Sequence, residues 1–154
     1  MINTNQNGSM KTGEAYAFFD CNASLKEVHE KIGEIAPTLP RSTQSKLELS
    51  LSEMSDFRKS CNDTELLHVL DSVPFYPIFN SKARKLKEEA KPIRMKDLRY
   101  ALTAKYTPGT NNDAGDTLCY VMNSIYAKYS DQMLFPGQIV GKCPDGTYGP
   151  WEND

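Results

Sequence analysis

The sequence predicts an α+β domain, a ferredoxin-like split βαβ sandwich (β-α-β-insertion-β-α-β) with two helices on one face of an antiparallel sheet. Three observations predict it. Lys46–Glu53, KLELSLSE, alternates strictly between apolar and polar side chains, the period of a half-buried strand. Thr107–Tyr129 carries the strongest helical stripe, with Ala114, Leu118, Val121, Met122, Ile125, Tyr126 and Tyr129 on one face and Asp116, Asn123 and Lys128 off it. The chain reads strand, helix, strand, insertion, strand, helix, strand, which is a split βαβ unit used twice. Helices with a single apolar stripe need a sheet beneath them.

The elements follow in order. Met1–Gly13, MINTNQNGSMKTG, is polar and aperiodic and reads as a disordered tail, or as a cloning remnant before a start at Met10. Glu14–Cys21, EAYAFFDC, reads as the first strand. Alternation sends Ala15, Ala17, Phe19 and Cys21 to one face and Tyr16, Phe18 and Asp20 to the other. Ser24 with Glu27 forms a capping box, and Leu25, Val28, Ile32 and Ile35 line the helix that follows, about 24–36, closed by Pro37. In the strand Lys46–Glu53, Leu47, Leu49 and Leu51 face inward and Glu48, Ser50 and Ser52 outward.

Residues 54–92 form an inserted helical and loop segment. Asp63 can cap a short helix bearing Leu66, Leu67, Leu70 and Val73, though Leu66–Leu70, LLHVL, reads equally as a strand. Val73–Phe79 is an apolar loop broken by prolines, and Ser81–Lys91 is a basic helix. Leu98–Tyr106 fits either a helix or a strand, and the strand is preferred because Leu98, Tyr100, Leu102, Ala104 and Tyr106 share one face and a Thr-Pro-Gly turn follows. The second helix is expected over about 111–130, capped by Thr110 or Asn112. Gly137–Cys143 is the fourth strand, Asp145-Gly146 a tight turn, and Tyr148–Trp151 a short returning strand before the tail 152–154.

At 154 residues, with 39% hydrophobic content, one domain with a sizeable core is expected. No apolar run approaches the ~18 residues of a membrane span. The start lacks a basic segment followed by an apolar block, so a cytoplasmic location is expected, with Cys21, Cys61, Cys119 and Cys143 as reduced thiols. The formal charge of −2 is uneven. Residues 82–99 carry eight basic and three acidic side chains, so that block is +5 within an otherwise acidic chain.

Candidate chemistry is sparse. Cys21, His29, Cys61, His68, Cys119 and Cys143 show no close ligand pair, so no metal and no cofactor is expected. Cys21 precedes a helix N-terminus, with Asp20 beside it and His29 or His68 as conceivable bases, but alternation turns it toward the core. Gly109–Asp116 opens a helix as phosphate loops do, yet lacks the Lys-Ser/Thr pair and carries two acids. Its oxygens do not have the calcium-loop spacing either.

The uncovered sheet face would show Tyr16, Phe18, Asp20, Glu48, Ser50, Ser52, Arg99, Ala101, Thr103 and Lys105. Two aromatics there require a cover: the insertion, which is favoured, or a second subunit, or a ligand. Three functional readings follow. The first is a binding or regulatory module without chemistry of its own, whose partner is a protein or a second copy of the chain rather than a small molecule. Its candidate contacts are Tyr16, Phe18, Phe75, Tyr76 and Phe79. The second is single-stranded RNA or another polyanion, with Tyr16 and Phe18 stacking bases and Lys82, Arg84, Lys85, Lys87, Arg99 and Lys105 on phosphates. The third is a small thiol enzyme using Cys21.

Overall fold

The computed structural model describes residues 12–72, 74–75, 93–94, 96, 98–110, 112–129, 133–143 and 145–150. Its elements are β1 (Glu14–Cys21), α1 (Leu25–Ile35), a 3-10 turn (Ala36–Thr38), α2 (Arg41–Gln44), β2 (Leu47–Glu53), α3 (Met54–Ser60), α4 (Thr64–Ser72), β3 (Pro74–Phe75), β4 (Ile93–Arg94), β5 (Tyr100–Tyr106), α5 (Ala114–Tyr129), β6 (Met133–Lys142) and β7 (Tyr148–Pro150). The chain is α+β. Its main sheet has five strands in the order β2-β5-β1-β6-β7, and every neighbouring pair is antiparallel. β3 and β4 form a separate two-stranded ladder.

α1 starts where its sequence demands. Ser24 Oγ accepts from the Glu27 N–H, and the Glu27 carboxylate accepts from the Ser24 N–H. Its buried side chains, Val28, Ile32 and Ile35, join the stripe of α5 and the inward residues of β1 and β5 in one core. Tyr hydroxyls stitch this layer together: Tyr100 donates to the Ala23 carbonyl at 2.6 Å, and Tyr129 donates to the Glu27 carbonyl at 3.2 Å. Asp113, not Thr110 or Asn112, caps α5 by accepting from the Gly115 N–H.

The ambiguous segment is a strand, but it begins at Tyr100 and not at Leu98. Leu98 packs instead in the second core, on the opposite side of the sheet. That second core joins Tyr16, Phe18, Ala101 and Val140 of the sheet to Met54 and Phe57 of α3 and Leu66 and Leu70 of α4. The first half of the insertion thus covers the face that α1 and α5 leave open. Asp63 caps α4 by accepting from the Glu65 and Leu66 N–H groups, and Arg58 on α3 pairs with Asp71 on α4.

Of the expected tail 1–13, residues 1–11 lie outside the described residues, and Thr12 and Gly13 are held in the fold. Thr12 is buried. Its hydroxyl lies 2.7 Å from both the Glu14 and the Lys142 carbonyls, and its N–H donates to Asp113. The Thr12 carbonyl receives the Ala114 N–H and that of Gly13 receives the Tyr106 N–H. A polar residue entered the core because it closes backbone groups at the start of α5 and the end of β6. The Asp145-Gly146 turn is as expected, with Gly146 at φ +91° returning β7 onto β6. Gly109 in the Thr-Pro-Gly turn also has positive φ, a conformation cheap only for glycine.

Candidate functional site

α3 and α4 do not cover the second face completely. They sit over Phe18, Ala101 and the ring of Tyr16, and leave open the end of the sheet where β1 starts and β5 finishes. Cross-strand registers explain the composition there. Glu14 stands opposite Lys105, and Lys105 opposite Glu48. The next row is Tyr16, Thr103 and Ser50. Every second residue of three strands therefore projects into a groove of about 900 Å³. Asp56, Phe57 and Ser60 of α3, the 61–63 connection and Lys142 complete its walls.

Hydrogen bonds fix one side. Tyr16 donates its hydroxyl to Glu14. Tyr148 donates to Asp63 Oδ2 at 2.6 Å, with Lys142 Nζ 4.0 Å from the same oxygen. The Tyr16 and Tyr148 rings meet edge to face, 5.9 Å between centroids. Burial first, and then the Glu14 carboxylate, pushes the Tyr16 phenol far above its usual range. Burial and then the bond to Asp63 do the same to Tyr148. The Tyr148 hydroxyl in turn holds the Asp63 carboxyl below the usual carboxylate range. Both phenols therefore stay protonated and act as hydrogen-bond donors rather than as bases.

The groove carries four carboxylates, Glu14, Glu48, Asp56 and Asp63, against two ammonium groups, Lys105 and Lys142. Its electrostatic balance favours a positively charged ligand. A second, more open depression is lined by Met54, Ser55, Arg58, Lys59 and Lys96. There the Arg58 guanidinium is already engaged by Asp71.

The residues singled out from sequence scatter. Tyr16 and Phe18 are 5% and 0% exposed, so they form no open stacking platform. Phe57 lies edge-on to both rings, at 5.8 and 5.7 Å. Burying the two aromatics under the insertion removes an apolar patch that water would otherwise wet. Arg99 points its guanidinium at the Cys21 and Ala23 carbonyls and over the Tyr100 ring, 4.8 Å from its centroid. Lys105 does reach the groove, but between the register partners Glu14 and Glu48, a poor seat for phosphate. Phe75 is described only through its backbone pairing with Ile93. Tyr76, Phe79, Lys82, Arg84, Lys85 and Lys87 lie outside the described residues, as do the expected basic helix and the tail 152–154.

Cys21 is 1% exposed, and burial raises its thiol pKa, which opposes the thiolate a nucleophile needs. His29 and His68 are exposed, and His68 meets Ser72. Cys119 is only partly buried. Among the described residues no three His, Cys, Asp or Glu side chains gather as a metal site would require, and no helix is long and apolar enough to cross a membrane.

Sequence reasoning placed Glu48, Ser50, Ser52, Thr103 and Lys105 on this face. It missed Glu14, Asp56, Asp63, Lys142 and Tyr148 as a group. Register places Glu14, Lys142 and Tyr148, and the packing of α3 and the 61–63 connection onto the sheet adds Asp56 and Asp63. No protein-family model matches the chain, and neither a curated protein nor a solved structure resembles it significantly.

Proposed function

We propose that this domain acts by binding, without chemistry of its own, and that the groove takes a protein segment rich in basic side chains. The single observation carrying this reading is the groove's composition: an open end of the sheet, floored by polar residues of three strands, with carboxylates outnumbering ammonium groups. Two neutral phenols locked onto two of those carboxylates give the surface a fixed shape, and a fixed shape lowers the entropy lost on binding. The ferredoxin-like classification belongs with this proposal. It is supported by β5 lying between β1 and β2, by β6 on the far side of β1, and by α1 and α5 sharing one face.

The test is a calorimetric titration of the intact chain with a set of Lys/Arg-rich peptides, acidic peptides and single-stranded RNA. The reading expects binding of the basic set alone, weakened at least about tenfold by Glu48→Lys and by raised salt. Binding of RNA that survives Glu48→Lys would transfer the function to the basic block at 82–99. Heats indistinguishable from dilution for every ligand would remove the groove from consideration.

A further inference from the structure

Among the described residues β2 is an edge strand of the main sheet, paired on one side only, to β5. Thr107 donates its N–H to the Lys46 carbonyl and Met54 donates to the Arg99 carbonyl. Within the continuous register Leu47↔Tyr106 to Glu53↔Tyr100, those two bonds make the even residues of β2 the hydrogen-bonded ones. The N–H and C=O groups of Leu47, Leu49, Leu51 and Glu53 therefore point away from the sheet. No described residue bonds to them. Edge strands usually carry a guard against pairing: a proline, a bulge or an inward charge. β2 has no proline and no bulge along its seven residues, and its one inward charge, Glu53, stands at the last position of the strand.

We propose that β2 is a self-association edge, and that two copies of the chain pair β2 to β2, antiparallel, about a two-fold axis at Ser50. A second copy is the occupant because the strand complements itself in this register. Leu49 faces the second copy's Leu51, and Leu47 faces its Glu53. Glu48 faces Ser52, and Ser50 faces Ser50. No like charges oppose each other. The outward odd residues of both strands fall opposite one another, so each exchanges backbone hydrogen bonds across the axis. The half-buried Leu47, Leu49 and Leu51 gain cross-strand cover beside the core formed with α1 and α5. One sheet then runs through both copies, and the grooves, each bordered by Glu48, Ser50 and Ser52, lie side by side. This pairing is independent of what the groove binds: a domain that takes no peptide can still dimerise, and the reverse.

The experiment is light scattering of the intact chain from micromolar to millimolar concentration, with two variants at the exposed Ser50. The expected result is a rise toward twice the 17.3 kDa chain mass. Ser50→Lys sets two ammonium groups face to face on the axis and raises the dissociation constant about tenfold or more, with circular dichroism unchanged. Ser50→Cys forms an intermolecular disulfide under mild oxidation above the wild-type level, whereas Glu48→Cys, which stands opposite Ser52 and not opposite its own copy, does not. A chain that stays monomeric throughout overturns the proposal. So does a dimer indifferent to Ser50→Lys, or cross-linking that favours Glu48→Cys over Ser50→Cys.

Discussion

Truncating Phe57 to alanine probes the layer on which the groove depends. Phe57 is 9% exposed, and its ring meets Tyr16 and Phe18 edge to face at 66° and 68°. It is the aromatic by which α3 sits on the sheet. Core Phe→Ala changes cost roughly 3–5 kcal/mol, including the cavity left behind. Because Phe57 lies at the margin of its cluster, the lower end, about 3 kcal/mol, is expected. For a chain of this length that lowers Tm by roughly 6–12 °C. Urea denaturation followed by circular dichroism measures it, with the m-value unchanged because the exposed surface is nearly the same. Phe57→Leu keeps most of the apolar volume and should cost less than about 1.5 kcal/mol. A Phe57→Ala midpoint within error of wild type would refute the reasoning, because α3 would then not be seated on the second sheet face and the groove would lack its wall.

Other outcomes follow from the same contacts. Thr12→Val leaves the Lys142 carbonyl without its hydroxyl donor and should cost about 1–2 kcal/mol in the same urea assay, a loss no disordered tail residue would cause. Ser24→Ala removes the capping box of α1 and should cost about 1 kcal/mol. Tyr148→Phe deletes the first cause of the depressed Asp63 pKa. A depressed carboxyl stabilises the fold above the ordinary carboxylate value and stops doing so as pH falls through its lowered one. The stability gap between wild type and Tyr148→Phe is therefore wide at neutral pH and closes on acidification, read from urea midpoints across a pH series. Cys21 should resist alkylation near neutral pH until the chain unfolds, while the partly buried Cys61, Cys119 and Cys143 react first, as mass mapping after digestion would show.

Periodicity and capping chemistry are local, and whatever depends on them is readable from the chain alone. The strict alternation of 46–53, the Ser24–Glu27 box, the Asp63 cap, the Asp145-Gly146 turn and the long stripe of α5 all act between residues a few positions apart, so each was legible without neighbours. Alternation also sorted β1 and β5 into two faces, and named Glu48, Ser50, Ser52, Thr103 and Lys105 as companions of Tyr16 and Phe18. Tertiary structure alone decided what covers those aromatics. Leu66 and Leu70 are apolar whether their helix lies on this sheet or elsewhere, and only packing put them in one core with Phe18. The same holds for Thr12, polar in sequence and buried because it bonds the Asp113 carboxylate and the Lys142 carbonyl, 101 and 130 positions away. Strand register, too, is a global property. It set Lys105 between Glu14 and Glu48, stood Tyr148 opposite Lys142 and turned the backbone of Leu49 outward. Those three results define the groove and the open edge, and none exists until the strands have chosen their partners.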